Sequence, residues 1–495
     1  MNTMQPTSLL FFLFFALVFL GYLLVPRKLR SLWLLGAGYL LCAAFSGITL
    51  AVLLYTTAVS WAAGLLIQRG PPPARRRWLV LGLVLTLAPL LFFKYYAFWT
   101  GLAGPLFSLL PEAAAQTLLH LVMPVGISFY SFQLVGYLVD VYRGKQPAEK
   151  NLLTYALFAS FFPKLIQGPI ERSDTLLPQL RALEEVRIWD IDRLRAGLVT
   201  ILWGLFQKLV LADRLGVFVN AVFGNIDACG TMELIAAAFA YTLQIYLDFS
   251  GYTCMALGFA QLLGIRLLEN FNTPYFATSI SDFWRQWHIS LSSWFRDYLY
   301  IPLGGSRVGK ARHLGNIFLT MVVSGIWHGS SWNFVFWGAL HGLYQVAAQL
   351  TRPARNALQQ KLHVDTRPFS YRFGQMLTTF CLVAFAWIFF RAESMGQAVY
   401  YLQRLFTRWN PWVLFDGTFY GALTGVDGPV LWLGLALVLA VDLLRSRTGR
   451  SLPDWLLGQN TWFRWAFCLG LVVSVLVFGV YGVDFATSQF LYFNF

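Results

Sequence analysis

Twelve apolar stretches, separated by short polar or basic segments, run the length of the chain, at 8–25, 31–46, 48–67, 78–98, 118–140, 195–222, 234–263, 314–327, 331–350, 371–390, 429–444 and 464–483. A helix needs about 20 apolar residues to cross a hydrocarbon core of ~30 Å. The pattern therefore predicts an all-α, polytopic transmembrane helical bundle of about 10–12 spans. Two stretches break the rule. Residues 151–180 carry Pro163, Gly168 and Pro169 inside an apolar region. Broken backbone at membrane depth is tolerated only where protein or a wet cavity satisfies it, so a re-entrant or interfacial segment is expected there. Residues 279–303 place Trp284, His288, Leu291, Phe295 and Leu299 at helical spacing, with Arg285, Gln286, Ser292, Ser293 and Arg296 elsewhere. That pattern predicts one amphipathic helix on the cytoplasmic side, lying in the interface plane and ended by Pro302 and Gly304-Gly305.

Basic clusters fall between the apolar stretches at Arg27–Arg30, Arg69–Arg77, Arg143–Lys150, Arg307–Arg312, Arg352–Arg372 and Arg445–Arg450. Cytoplasmic loops of membrane proteins hold the excess of Lys and Arg, so all six are assigned to the cytoplasm. Segments 99–117 and 223–233, without Lys or Arg, then lie outside, as does 391–428 despite Arg391, Arg404 and Arg408. No Lys or Arg precedes the first apolar run, whereas a signal peptide has its charge in front. A retained first span is expected, with both chain ends on the outer side.

Composition agrees. Of 495 residues, 57% are hydrophobic and 12% charged, against about 45–50% and about 25% in soluble domains. The net charge of +14 raises nucleic acid as a partner, but positive-inside bias accounts for it and no clustered basic stripe is present. Membrane lipid is the expected surrounding; nucleic acid is not an expected partner. The five cysteines are scattered without a CxxC pair, so neither a disulfide framework nor a metal site is implied.

The chain carries no G-x-S-x-G elbow, P-loop, H-E-x-x-H or dinucleotide fingerprint. Six histidines remain: His120, His288, His313, His328, His341 and His363. His313 and His363 fall in basic loops, where solvation is expected, and His120 at the start of a span suits an interfacial role. His328 lies in Ser324-Gly325-Ile326-Trp327-His328-Gly329-Ser330-Ser331, between two apolar segments. Ionisable groups at membrane depth face a bundle interior or wet cavity, and neutral imidazole is the common general base near neutral pH. Spacing alone leaves a catalytic and a structural histidine both open. The flanking glycines admit close approach of another backbone or of a substrate. His341, in Trp337-Gly338-Ala339-Leu340-His341-Gly342, reads as a helix-packing histidine.

Several motifs together resemble the membrane-bound O-acyltransferases, in particular their bacterial alginate O-acetyltransferase branch. They are SDFWRQWHISLSSWFRDYLYIPLGG followed by SGIWHGSSW, MPVGISFYSF at 123–132, FFPKLIQGPIER at 161–172, YLDFSGYTCMALG at 246–258 and QFLYFNF at 489–495. The similarity covers most of the chain from about residue 120. Elsewhere, in the first hundred residues and in 391–463, only the hydropathy matches.

The resemblance implies a single integral-membrane acyltransferase domain over 1–495, with 118–350 as its catalytic portion, enclosing a tunnel. Its catalytic histidines map onto His328 and His288. It implies no permanently bound cofactor, acetyl-CoA from the cytoplasm as donor, and periplasmic acetyltransferase proteins that complete transfer to hydroxyls of an exported polysaccharide. The location implied is the bacterial inner membrane. Arg307 and Lys310, on the cytoplasmic side, are candidates for the donor's phosphates, although positive-inside bias alone explains them. His328 is the expected general base, with Asn333, the Trp327 indole or the backbone of Gly329–Ser330 as oxyanion donors. A covalent acyl-histidine is a variant of this. His288 orients or polarises the thioester, or anchors its helix. Trp327, Asn333, Asp248 and Gln167 are the candidate tunnel residues. Alginate, cellulose, peptidoglycan and teichoic acid all remain open as acceptors. A transporter or flippase, or a non-catalytic scaffold of a secretion complex, shares the polytopic pattern. No repeat of 20–50 residues supports the transporter.

One expectation concerns depth. Segment 314–327 has fourteen residues and as a helix rises only about 21 Å. His328 is therefore expected at the turn of a hairpin buried inside the membrane.

Overall fold

The structure is a computed structural model that describes residues 4–95, 123–166, 168–416 and 428–481. His120, Gln167 and the segment 99–117 lie outside the described residues, as does the closing QFLYFNF. The described residues are helical, with no strand among them.

Seven described helices are long and apolar enough to cross a membrane: Gly47–Arg69, Pro72–Lys94, Ile191–Gly224, Thr231–Leu262, Phe369–Arg391, Gly428–Thr448 and Thr461–Phe478. Most of the apolar part of Ile191–Gly224 and Thr231–Leu262 is buried in protein, whereas Thr461–Phe478 and Gly428–Thr448 are largely uncovered. The described part is thus a polytopic bundle with outward apolar faces that suit lipid.

The chain divides into two compact units, one of residues 1–201 and 253–268, the other of 202–252 and 269–495. The first contains α1 (Leu9–Leu24), α2 (Arg30–Phe45), α3 (Gly47–Arg69), α4 (Pro72–Lys94) and α5 (Ile127–Tyr142), then α6 (Leu152–Ser160), α7 (Phe162–Leu165) and α8 (Ser173–Arg181). The beginning of α9 (Ile191–Leu205) belongs to it as well. Small residues set the helix spacing. A side chain at Gly258 would press on the Gly197 carbonyl at 2.6 Å, and one at Gly64 on the Tyr137 ring at 2.7 Å. Such contacts let membrane helices approach closely. The stretch 151–180 is broken into the short α6, α7 and α8, and Phe161–Ile166 is buried. Lys164, inside it, donates to Gln133 Oε1, which keeps a buried ammonium bonded.

The second unit opens with the last residues of α9 and continues as a π-helical segment, Phe206–Ala212. It is followed by α10 (Asp213–Gly224), most of α11 (Thr231–Leu262), α12 (Ile280–Gln286), α13 (Ile289–Phe295) and a second π-helical segment, Arg296–Tyr300. The long α14 (Lys310–His328) and α15 (Trp332–Lys361) come next, then α16 (Phe369–Arg391), α17 (Met395–Thr407), α18 (Gly428–Thr448), α19 (Leu452–Leu457) and α20 (Thr461–Phe478).

Two sequence expectations change here. The single amphipathic helix over 279–303 is three pieces, interrupted at Trp287–His288, where His288 is left-handed (φ 43°, ψ 55°). The chain leaves helix as expected beyond Tyr300, with positive φ at Gly304 and Gly305. The first arm of the hairpin is longer than its apolar stretch. α14 has 19 residues and rises about 28 Å, because helix continues through the basic residues Lys310 and Arg312 at its start. Its length no longer forces a short, buried turn.

The glycines near His328 prove to be packing residues. A Cβ at Gly325 would run into the Phe334 carbonyl, and one at Gly338 into the Met321 carbonyl; Gly342 abuts Phe318. α14 and α15 therefore touch backbone to backbone, as glycine at helix spacing permits. Gly338→Val is expected to cost about 1–3 kcal/mol through overpacking, read as earlier thermal unfolding of the purified protein in detergent. Unchanged unfolding would mean that this crossing tolerates a wider spacing.

Two segments assigned to the outer side, 223–233 and 391–428, pack together where described, and Arg391 reaches the end of the apolar stretch just before the first of them. Arg391 Nη2 donates to Asn220 Oδ1 at 2.8 Å, Arg404 donates to the Asp227 carbonyl, and the Arg408 carbonyl accepts from Thr231 N at 2.9 Å. Arg391 and Arg404 are thus committed to internal hydrogen bonds, which gives arginine a reason to be there other than the positive-inside bias.

Candidate functional site

His288 sits at the break between α12 and α13, and the loop that follows α11 holds it. The Asn270 carbonyl accepts from Ile289 N at 2.9 Å, and Asn272 N donates to the Gln286 carbonyl at 3.0 Å. Asn270 Oδ1 accepts from Ser290 Oγ at 2.6 Å and Ser290 N at 3.4 Å, and lies 3.3 Å from His288 Nδ1. Asn270 thereby takes up two first-turn N–H groups of α13 from outside the helix, the task an N-cap residue performs. A left-handed non-glycine residue costs on the order of 1–3 kcal/mol, and these bonds offset it. Arg445 pins the same loop by bonds to Glu269 and to Asn272 Oδ1. The His288 ring meets the Phe249 ring edge-on at 4.7 Å. Burial pushes its imidazole down to about 3, so it is neutral at physiological pH.

His328 ends α14 and is buried. Its ring is walled by Trp327 at 4.8 Å, Trp337 at 5.0 Å and Phe390 at 5.2 Å, all nearly perpendicular to it. Behind this wall, Trp387 stacks on Trp337 at 5.5 Å and leans on Trp287 at 5.2 Å. Trp327 also faces His288 at 6.2 Å. The two candidate catalytic histidines therefore share one neighbour, a buried tryptophan. Edge-to-face aromatic packing of this kind gives a rigid site of low polarity.

The remaining candidates are placed as follows. The Asn333 amide donates to the Phe389 carbonyl at 3.1 Å and the Ala392 carbonyl at 2.7 Å, so both its hydrogens tie α15 to the end of α16. Asp248, on α11, lies 2.6 Å from Lys208 Nζ in the π-helical segment, and Asp213 Oδ1 lies 2.6 Å from the same nitrogen. The three form a charge cluster in which Lys208 and Asp248 are buried and Asp213 is partly exposed, with the Tyr252 ring beneath the ammonium. Arg307 and Lys310 are exposed, in the turn before α14 and at its first residue. His341 accepts from Trp284 Nε1 at 3.3 Å and joins α15 to α12, as a packing histidine should. His313 is not simply solvated: Tyr300 and Gln349 flank its ring nitrogens at 2.9 and 3.1 Å.

Three residues that matter here were not singled out from the sequence. Asn270 gave no signal, because its side-chain partners His288 and Ser290 lie 18 and 20 residues further along the chain. Trp387 looked like any aromatic residue of a span. Lys208 did give a signal: it is a cation in the middle of one apolar run while Asp248 is the lone anion of another, and charges at membrane depth pair.

Residues 148–386 match the family model of MBOAT, the membrane-bound O-acyltransferase family. A relative from Pseudomonas putida, named "Probable alginate O-acetylase AlgI", is 35% identical over 99% of this chain and 99% of its own length. The chain belongs to the membrane-bound O-acyltransferase family. A second relative of the same name, from Azotobacter vinelandii, is 38% identical over 83% of this chain and 79% of its own length. A "Peptidoglycan O-acetyltransferase" from Helicobacter pylori is 33% identical over 79% of this chain and 78% of its own. This O-acyltransferase is a multi-pass membrane enzyme, which sets the transporter and scaffold readings aside.

Proposed function

We propose that this membrane-bound O-acyltransferase moves acetyl groups from cytoplasmic acetyl-CoA towards hydroxyls of an exported polysaccharide, alginate or a similar exopolysaccharide, in the bacterial inner membrane. Partner proteins on the periplasmic side complete the transfer. The observation that carries this reading is the buried pair of histidines around Trp327, in an aromatic setting from which bulk water is excluded. The names of the relatives supply the acetyl group and the polysaccharide class. His328 acts as the general base that takes the hydroxyl proton as the oxygen attacks the thioester carbonyl; the thiolate leaves. The carbonyl oxygen becomes an oxyanion and needs donors in place beforehand. With both Asn333 hydrogens occupied, the Trp327 indole N–H and the Ser330 backbone N–H are the proposed donors. The donor enters from the side of the basic clusters, where Arg307 and Lys310 are exposed and attract its phosphates.

Inverted membrane vesicles containing the enzyme and given acetyl-labelled CoA test the donor. Label is expected to pass into polysaccharide only when the periplasmic partners are present. Transfer from a carrier-bound D-alanyl group, with none from acetyl-CoA, would replace the donor and the acceptor together.

A further inference from the structure

The contacts of Asn270 go further than holding a loop. Two ring nitrogens decide what a neutral histidine can do: one carries hydrogen and donates, the other holds a lone pair and accepts. Asn270 Oδ1 receives the Ser290 backbone N–H at 3.4 Å and the Ser290 hydroxyl at 2.6 Å. A backbone N–H only donates, so the atom it meets is the carboxamide oxygen, and the orientation of the side chain is fixed by that bond. An oxygen only accepts, so His288 Nδ1, 3.3 Å away, must supply the hydrogen between them.

We propose that Asn270 is a positioning residue that fixes His288 as the Nδ1–H tautomer and so leaves its Nε2 as a lone pair. The arrangement has the form of a base oriented by a third group, here a neutral amide. It also assigns the chemistry available to His288. Nε2 accepts a hydrogen bond from an N–H or O–H of a substrate, and it does not polarise a carbonyl, because it has no hydrogen to donate. The oxyanion is left to donors other than His288. His341 has the opposite assignment: the Trp284 indole donates to its Nδ1 at 3.3 Å, so its hydrogen is on Nε2. His288 and His341, two of the three buried histidines described in this unit, are thereby set to different tautomers by different neighbours. The left-handed backbone at His288 serves the same end, since the bonds from Ile289 and Ser290 to Asn270 form only where the helix is interrupted.

Imidazole nitrogen-15 spectra of the full-length protein in lipid, with labelled histidine, read the tautomer directly. The His288 signal is identified as the one lost in His288→Gln. An Nδ1–H pattern is expected in the wild type and in Asn270→Asp, which keeps an acceptor oxygen. In Asn270→Leu the pattern should become mixed or change to Nε2–H. The kinetic arm rests on the acyl-transfer reading. There kcat of Asn270→Leu should fall about 10–100-fold, the usual scale for losing an orienting partner, with KM for the acyl donor little changed. Asn270→Asp should recover most of the activity. An Nε2–H pattern in the wild type overturns the proposal whatever the kinetics, as does an Asn270→Leu protein with unaltered spectrum and kcat. If the leucine variant fails to accumulate, the wild-type spectrum decides. Failure of the acyl-transfer reading would appear differently, as no acyl transfer by the wild-type protein while the His288 spectrum is as expected.

Discussion

His328→Ala is expected to lower acyl transfer about 10²–10⁴-fold, the range for losing a general base, while the protein still accumulates in the membrane. A methyl group cannot carry the proton, and the walls of the site do not depend on the imidazole alone. Trp337 is held by stacking on Trp387, and Phe390 by its contacts to Trp337 and Trp387. The cavity left costs some stability, so folding is checked by monodispersity and thermal unfolding in detergent alongside the acetyl content of the exported polymer. His288→Ala should reduce transfer less. Normal acetyl content in a well-folded His328→Ala protein would remove this histidine from the chemistry. Loss confined to His288→Ala would exchange the two roles.

The second large effect concerns stability. Lys208→Met is expected to destabilise the protein by about 3–5 kcal/mol, the range for breaking a buried ion pair by removing one partner. Two carboxylates, Asp248 and Asp213, meet the same ammonium at 2.6 Å; without it their charge is left in a medium that solvates it poorly. The pair also joins the π-helical segment to α11 where Gly251 lies close to the Gly204 carbonyl, so loosening is expected to begin there. A double change, Lys208→Met with Asp248→Leu, removes a charge of each sign and should recover part of the loss, because apolar replacements often match a buried pair. Thermal unfolding in detergent measures both. A single mutant that melts with the wild type would show that water reaches the cluster and compensates for the missing cation.

Much of the architecture was legible in the chain because a bilayer imposes length and polarity together. The apolar runs at 48–67, 78–98, 195–222, 234–263, 371–390, 429–444 and 464–483 each correspond to one of the seven long apolar helices, usually with boundaries a few residues wider. The broken helices over 151–180 were announced by their prolines and glycine. The choice of His328 and His288 came from motif resemblance, and the structure brings both to Trp327. Asn333 was legible as a candidate oxyanion donor and tunnel residue, but its bonds were not, since the carbonyls of Phe389 and Ala392 that it meets lie at the end of another helix.

What the sequence determined by itself is what depends on neighbours along the chain: which segments are apolar enough to leave water, where they end, and which residue types can exchange a proton. The tertiary structure decided what depends on neighbours in space. Periodicity over 279–303 favoured one helix, because a local pattern registers only side chains at three- and four-residue spacing. The break at His288 is made by Asn270, which bonds Ile289 and Ser290 from a separate loop. The glycines beside His328 read as room for another backbone or for a substrate, and the close packing of α14 on α15 gives them to the backbone. Asp248, a candidate tunnel residue from the sequence, is held by the packing of α11 2.6 Å from Lys208 Nζ. In each case a hydrogen bond, an ion pair or a backbone contact between distant segments overrode the local preference, because burial makes an unpaired polar group or an unfilled gap more costly than an irregular helix.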